Sequence, residues 1–147
     1  MKKDILKGKV AKGYQIASGS NPDKSLKLNN TIFLQKPFFK EAGIPDIEKY
    51  YNGTINLDIS PNEFKIIKPD YEVTCNWIDE IIETFWFVKI FINFDGKKYR
   101  GLIYYPCPSK VKSHSDYVVE LLTKKIPNLN YANLLSVEIP AGKIRTA

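Results

Sequence analysis

A short run of oxygen-bearing side chains follows an Asn-Gly pair near the middle of the chain. From Gly53 onward, Thr54, Asn56 and Asp58 alternate with apolar residues. Because side chains on a β-strand point alternately to its two faces, the three polar groups are expected to share one face and the apolar residues to face a core. Mg²⁺ prefers oxygen ligands and commonly takes only one or two of them from the protein. Thr54 and Asn56 are therefore candidate metal ligands, with Asp58 as a possible third member.

The same pattern has an ordinary structural interpretation. Polar residues on the solvent face of a half-buried antiparallel strand are the norm, and Asn-Gly is a common hairpin turn. Periodicity alone favours this interpretation for Thr54 and Asn56. The metal hypothesis therefore needs support from the rest of the chain.

Alternating and aromatic-rich segments indicate that the chain is mainly β structure. The predicted strands are 5–17, 31–33, 50–59, 71–78, 85–94, 98–105 and 134–139. Short helices are predicted over 38–42 and 116–125. The second helix rests on the spacing of Val118, Leu122 and Ile126 and on a capping pattern before it.

The strands follow one another without the β-α-β alternation of parallel sheets. A small closed barrel, six-stranded and with one or two short helices, is the simplest fold that leaves no unpaired strand edge. We find no linker, repeat or low-complexity stretch in the 147 residues, so residues 1–147 are expected to form a single domain.

Composition restricts the setting of the protein. Cys75 and Cys107 lack the spacing of a disulfide framework or a zinc site. No segment has the length of apolar sequence that a membrane span or a signal peptide needs. A cytoplasmic protein that does not enter the membrane is expected. The formal charge of +6 suits an anionic partner.

Several motifs, taken in order, resemble the archaeal CTP-dependent riboflavin kinase family. The first strand reads G-x-V-x-x-G over residues 8–13, and a run of small residues follows at 17–19. Gly-Thr-Ile-Asn over 53–56 is similar to the Gly-Thr-Leu-Asn motif of the family and is the most specific piece. A hairpin ending in proline, then His114 and Glu120, complete the resemblance, which covers about residues 8–139.

The resemblance implies a six-stranded cradle-loop barrel that transfers the γ-phosphoryl group of CTP to riboflavin, giving FMN. Thr54 and Asn56 would hold Mg²⁺, and Glu120 would be the catalytic residue that contacts the acceptor. The remaining candidates would contact the nucleotide or the acceptor. They are Gly13, Ala17, Ser18, Gly19, Gly53 and His114.

Alternatives remain open at this point. Glu120 could instead form a surface ion pair with Lys124 four residues later on the predicted helix, and His114 could be a surface or capping residue. Segments 107–113 and 132–135 depart from the pattern of the family, which favours a catalytically silent nucleotide- or flavin-binding barrel. A nucleic-acid-binding barrel is the third hypothesis. Because the lysines are scattered along the chain and no recognition motif is present, nucleic acid is not the expected partner.

Overall fold

The described part of the chain is mainly β structure. A computed structural model describes residues 3–11, 31–78, 81–107 and 117–146. The elements, in chain order, are β1 (Lys3–Ala11), α1 (Thr31–Glu41), a short 3-10 helix (Ile47–Lys49), β2 (Ile55–Asp58), β3 (Phe64–Ile66), β4 (Tyr71–Ile78), β5 (Ile81–Phe94), β6 (Lys97–Cys107), β7 (Val118–Thr123), β8 (Leu134–Pro140) and β9 (Ile144–Thr146).

Six strands close into an antiparallel barrel. Neighbouring strands pair in the order β1, β2, β7, β6, β5 and β8, and β8 pairs with β1 to close the ring. Outside the ring, strand β4 pairs antiparallel with the first half of β5. Strands β3 and β9 pair with each other in a separate two-stranded sheet. The predicted mainly β, six-stranded barrel is confirmed, and closure leaves none of the six strands with a free edge along the ring.

Aliphatic side chains from every barrel strand fill the interior. Val88, Ile90 and Ile92 of β5 alternate inward, and Leu57 of β2 and Leu121 of β7 meet them; each is at most 3 % exposed. This alternation puts the intervening residues of each strand on the outside of the barrel. The side chains of the candidate site lie on that outer side.

Helix α1 covers one part of the outer surface. The ring of Phe39 in α1 makes T-shaped contacts with Phe85 and Phe87 of β5. Its centroid lies 5.2 Å from that of Phe85 and 4.8 Å from that of Phe87. Tyr104 and Leu122, on β6 and β7, belong to the same buried cluster. The barrel thus has a second, external core beneath the helix.

Two predicted elements were wrong. Residues 31–33 begin helix α1 and do not form a strand. Residues 118–123 form strand β7 and do not form a helix. The apolar residues of this strand are buried on both of its faces, since Leu121 points into the barrel and Leu122 lies under α1. A segment buried on both faces has a nearly continuous apolar sequence, which periodicity cannot distinguish from a helix.

The strands predicted over 71–78, 85–94, 98–105 and 134–139 are confirmed within a few residues. The first predicted strand, 5–17, is confirmed up to Ala11, and its remainder lies outside the described residues; the helix predicted over 38–42 is the end of α1, which begins at Thr31. The β5–β6 hairpin turns at Asp95 and Gly96, whose φ angles are 53° and 73°, as the Asp-Gly pair predicts. The strand predicted over 50–59 is shorter, since β2 covers only Ile55–Asp58. No helix among the described residues is long and apolar enough to cross a membrane.

Candidate functional site

A hydrogen bond joins two of the residues singled out by sequence. The Thr54 hydroxyl donates to Oε1 of Glu120 over 2.9 Å. Strand β2 pairs with β7, and Asn56 lies directly opposite Glu120 in the antiparallel register. The strand alternation is confirmed as well, because Leu57 and Ile59 are buried in the barrel core. The fold therefore brings Thr54, Asn56 and Glu120 together on the outer side of the barrel.

Glu120 is largely shielded from solvent, with a relative exposure of 7 %. The helix that would place Lys124 one turn after Glu120 does not form, since Glu120 lies in strand β7, which ends at Thr123. On the side away from Asn56, the register places Glu120 opposite Tyr104 of β6. Glu120 thus lies between Asn56 on one side and Tyr104, which belongs to the external core beneath α1, on the other.

Tyr104 and Gln35 form a buried polar pair on that side. The Tyr104 hydroxyl donates to Oε1 of Gln35 over 2.8 Å, and both residues are at most 4 % exposed. Burial, and next the negative charge of Glu120, raise the pKa of Tyr104 well above its usual value. Tyr104 therefore stays protonated and acts as a hydrogen-bond donor throughout the physiological range.

An open cavity of about 410 Å³ lies beside the Thr54–Asn56 segment. Gly53, Thr54 and Asn56 line it, and so do two consecutive cations, Lys124 and Lys125. Glu120 does not line this cavity. Its volume is in the range of small-molecule sites in proteins, and the lysines make it suitable for an anionic ligand.

The last residues of β1 contribute to the same cavity. Val10 and Ala11 line it, and the chain continues from Ala11 towards the segment in which sequence predicts the nucleotide loop. Asn130 and Tyr131 also line it, and they belong to the turn that pairs with Val10, since the backbone N–H of Ala132 donates to the carbonyl oxygen of Val10 over 2.7 Å. The cavity therefore opens at the end of the barrel to which the predicted loop is attached.

One buried acceptor beside the cavity lacks a hydrogen bond. The side-chain oxygen Oδ1 of Asn52 is shielded from solvent and accepts no hydrogen bond within the described part of the chain. Buried polar atoms are rarely left unpaired in native proteins. Asn52 directly precedes Gly53 and Thr54. Its Oδ1 could therefore accept a hydrogen bond from a ligand, or coordinate a cation, next to the Thr54–Asn56 segment.

The donor set is compatible with a hard cation. Thr54, Asn56 and Asn52 offer neutral oxygens, and Glu120 offers a carboxylate behind Thr54. Oxygen ligands of this kind suit Mg²⁺, which keeps several waters or phosphate oxygens in its coordination shell. The described residues contain no cluster of three or more His, Cys, Asp or Glu. Asp58 is already engaged, because its carboxylate accepts hydrogen bonds from Ser60, and these lower its pKa.

Several predicted residues lie outside the described residues. They are Gly13, Ala17, Ser18, Gly19 and His114. Sequence reasoning missed Lys124, Lys125 and Asn52. Two adjacent lysines, Lys124 and Lys125, directly follow an apolar segment in the sequence, and this could have indicated an anion site. The helix predicted over 116–125 instead made Lys124 a candidate partner for a surface ion pair with Glu120.

The chain was compared with protein-family models and with curated protein sequences, and neither comparison finds a match.

Proposed function

We propose that this barrel is a phosphotransferase of the CTP-dependent riboflavin kinase type. In this proposal it moves the γ-phosphoryl group of a nucleotide, CTP being favoured, to riboflavin or a related small alcohol with the help of Mg²⁺. The observation that carries the proposal is the assembly of Thr54, Asn56 and Glu120 from two neighbouring strands beside a cavity lined by Lys124 and Lys125. The Gly-Thr-Ile-Asn resemblance supplies the reaction class.

Thr54 and Asn56 would hold the metal ion. Because the Thr54 hydroxyl donates its hydrogen bond to Glu120, both lone pairs of Oγ1 remain available to a cation. Asn56 offers its amide oxygen from the next outward position of the same segment. The bound ion would neutralise charge on the transferring phosphates and help to align them.

Lys124 and Lys125 would attract the phosphates to the cavity. A lysine near a transferring phosphoryl group also stabilises the negative charge that spreads over its oxygens. Val10 and Ala11 line the cavity, and in the sequence they directly precede the segment with small residues that is predicted to be the nucleotide loop. Small residues let the backbone approach a nucleotide closely.

Glu120 would orient the reacting groups. Its hydrogen bond fixes the Thr54 hydroxyl, and its negative charge supports a cation held by Thr54. To act as a general base, the Glu120 carboxylate would have to reach the hydroxyl group of the phosphoryl acceptor and take its proton. Glu120 does so only if ligand binding exposes it, since it is 7 % exposed and does not line the cavity.

The same observation favours a second function. If Glu120 stays buried, the cavity binds a nucleotide or a flavin without turnover, and the protein is a catalytically silent binding module. Binding would still depend on Thr54, Asn56 and the two lysines. The two functions therefore differ in product formation and agree in the ligand.

A turnover panel tests the proposal. The purified chain is incubated with Mg²⁺ and riboflavin, and with CTP, ATP, GTP or UTP in turn, and FMN is measured by chromatography with fluorescence detection. We expect FMN to form with CTP and to require Mg²⁺. Calorimetric binding of CTP or riboflavin with no FMN would establish the silent module, and neither binding nor FMN would contradict both functions.

A further inference from the structure

The outer surface of the barrel carries a second feature, on the side that helix α1 does not cover. We define the basic face as the outward side chains of β1, β8, β5 and β6: Lys3, Ile5, Lys7, Ser136, Glu138, Lys89, Phe91, Asn93, Lys98 and Arg100. The five cations of this face and Phe91 are exposed. Lys3 and Lys7 lie on one strand and Lys98 and Arg100 on another, and the barrel brings these two sequence-distant strands to the same side.

The strand register orders this face into rows. One row across β1, β8, β5 and β6 reads Ile5, Glu138, Phe91 and Arg100, and the next reads Lys7, Ser136, Asn93 and Lys98. Neighbouring strands are about 4.8 Å apart, and outward residues on one strand are about 6.7 Å apart. In these two rows the cations therefore lie on the outer strands, with Lys7 on β1 about 14 Å, three strand spacings, from Lys98 on β6, and with Ser136 and Asn93 between them.

The charge of the face is unbalanced. Glu138 is its one carboxylate, and it is already engaged by Lys3, by Lys98 over 3.1 Å and by Asn93 over 2.7 Å. Asp70 lies beside the face, since its carboxylate accepts a hydrogen bond from the backbone N–H of Lys89 over 2.8 Å. Five cations against these two carboxylates leave a local excess of positive charge. Such an excess attracts polyanions from a distance.

An exposed aromatic ring lies within this charge. Phe91 is 39 % exposed. The ammonium nitrogen of Lys98 and the guanidinium carbon of Arg100 lie over this ring, 5.4 and 6.0 Å from its centroid, so both cations are in cation–π contact with Phe91. A base that reaches the ring has to stack beside these two side chains or displace them. An aromatic ring for a base, next to cations for the phosphates, is the combination that proteins use on single-stranded nucleic acid.

A recess of about 290 Å³ continues the basic face beyond Lys98 and Arg100. Lys49 and Lys124 also line it, and Asp46 is paired with Lys49 over 3.3 Å. The positive surface thus extends from the open sheet into a concave site of the size of a phosphate-bearing group. A chain-like polyanion is long enough to contact the basic face and the recess together, whereas a small anion would occupy only one of them.

We propose that the basic face binds single-stranded nucleic acid, with phosphates on Lys7, Lys98 and Arg100 and a base against Phe91. Charge complementarity and the ring support this occupant over an acidic protein surface. Lys124 lines both the recess and the cavity beside Thr54. The inference is independent of the proposed kinase activity only for the basic face itself, whose side chains lie on other strands than the Thr54–Glu120 pair and do not line that cavity.

Fluorescence anisotropy with a labelled oligothymidylate of about twelve nucleotides tests the proposal, because single-strand sites cover about 4–16 nucleotides. We expect binding at low salt, with the logarithm of the association constant falling linearly against the logarithm of the salt concentration, by about 0.7 for each phosphate contact. The paired substitution Lys7→Gln with Arg100→Gln should reduce that slope by about 1.4, for two lost contacts. Phe91→Leu should weaken binding and leave the slope unchanged.

A matched control removes the same charge elsewhere. Lys40→Gln with Lys65→Gln alters exposed lysines of α1 and β3, and it should bind like the wild type. Circular dichroism melting checks that all variants fold. Equal loss in both double variants, or no binding at low salt, would overturn the proposal. Tighter binding to duplex DNA, or to vesicles rich in phosphatidylserine, would also overturn it, because the occupant would then be different.

Discussion

The hydroxyl of Thr54 donates a hydrogen bond to the carboxylate of Glu120, although the two residues are 66 positions apart in sequence. The bond spans β2 and β7, and it connects the segment proposed to hold the metal with the residue proposed to face the acceptor. Its effect on stability can be measured without knowledge of the ligand.

We predict that Thr54→Val lowers the free energy of unfolding by about 1.5–3 kcal/mol, the range for a hydrogen bond to a charged group. Valine keeps the shape of threonine but leaves the largely buried Glu120 without this donor. Thr54→Ser, which keeps the hydroxyl, is the matched control and should lose less. Urea denaturation measures both variants, and equal stability of the two would contradict the assigned bond.

The buried pair of Tyr104 and Gln35 gives a second prediction. Tyr104→Phe removes the donor and leaves the Gln35 side chain, which is 1 % exposed, with an unsatisfied oxygen. A loss of about 1–3 kcal/mol is expected for the unfolding free energy. The double variant Tyr104→Phe with Gln35→Leu should lose less than the sum of the two single variants. Additive losses in thermal or urea unfolding would contradict the pairing.

Acid sensitivity should arise from Glu138. Hydrogen bonds from Lys3, Asn93 and Lys98 lower the pKa of Glu138 from its usual 4.5 to about 2. A depressed pKa in the folded state means that the stabilisation is present above pH 4.5 and is lost as the pH falls towards 2. Urea unfolding across this window should show a smaller decrease in stability for Glu138→Gln than for the wild type. Identical pH profiles would contradict this account.

The first glycine of the G-x-V-x-x-G motif has a structural role. A Cβ atom at Gly8 would lie 2.4 Å from the carbonyl oxygen of Asp58, where β1 passes close to β2. Gly8→Ala should therefore destabilise the fold by about 1–3 kcal/mol through overpacking. Lys7→Ala, an exposed change on the same strand, is the control and should have little effect on the melting temperature. A Gly8→Ala variant as stable as this control would show that the strands can separate at no cost.

The sequence predicted the architecture better than the individual elements. Strict alternation identified β2, and the aromatic run together with Asp95-Gly96 identified the β5–β6 hairpin, because these signals are local. Periodicity predicts a helix over residues 118–123, which form strand β7. The burial of these residues depends on long-range partners that local periodicity does not reveal, namely β2 and β6 on either side and α1 above. The same error left open a surface ion pair between Glu120 and Lys124 as an alternative to the catalytic role of Glu120.

The site was predictable in part for the same reason. Alternation put Thr54 and Asn56 on one side, but the pairing of β2 with β7 is a long-range contact that the sequence does not encode locally. The position of Lys124 and Lys125 beside Thr54 depends on that pairing. The basic face is a similar case, since Lys3 and Lys7 of β1 and Lys98 and Arg100 of β6 are far apart in the sequence and come to one side only when the barrel closes.

Magnesium-dependent binding of CTP to Asn56→Ala tests the central claim most directly. Asn56 lies opposite Glu120 and lines the cavity, and the substitution removes one oxygen ligand without disturbing the Thr54–Glu120 bond. Calorimetric titrations with CTP in Mg²⁺ and in EDTA are compared with those of Asn76→Ala, an exposed change on β4. We predict that the wild type and Asn76→Ala bind CTP more tightly in Mg²⁺, and that Asn56→Ala loses this difference. The same magnesium dependence in all three proteins, or CTP binding in none of them, would contradict the account.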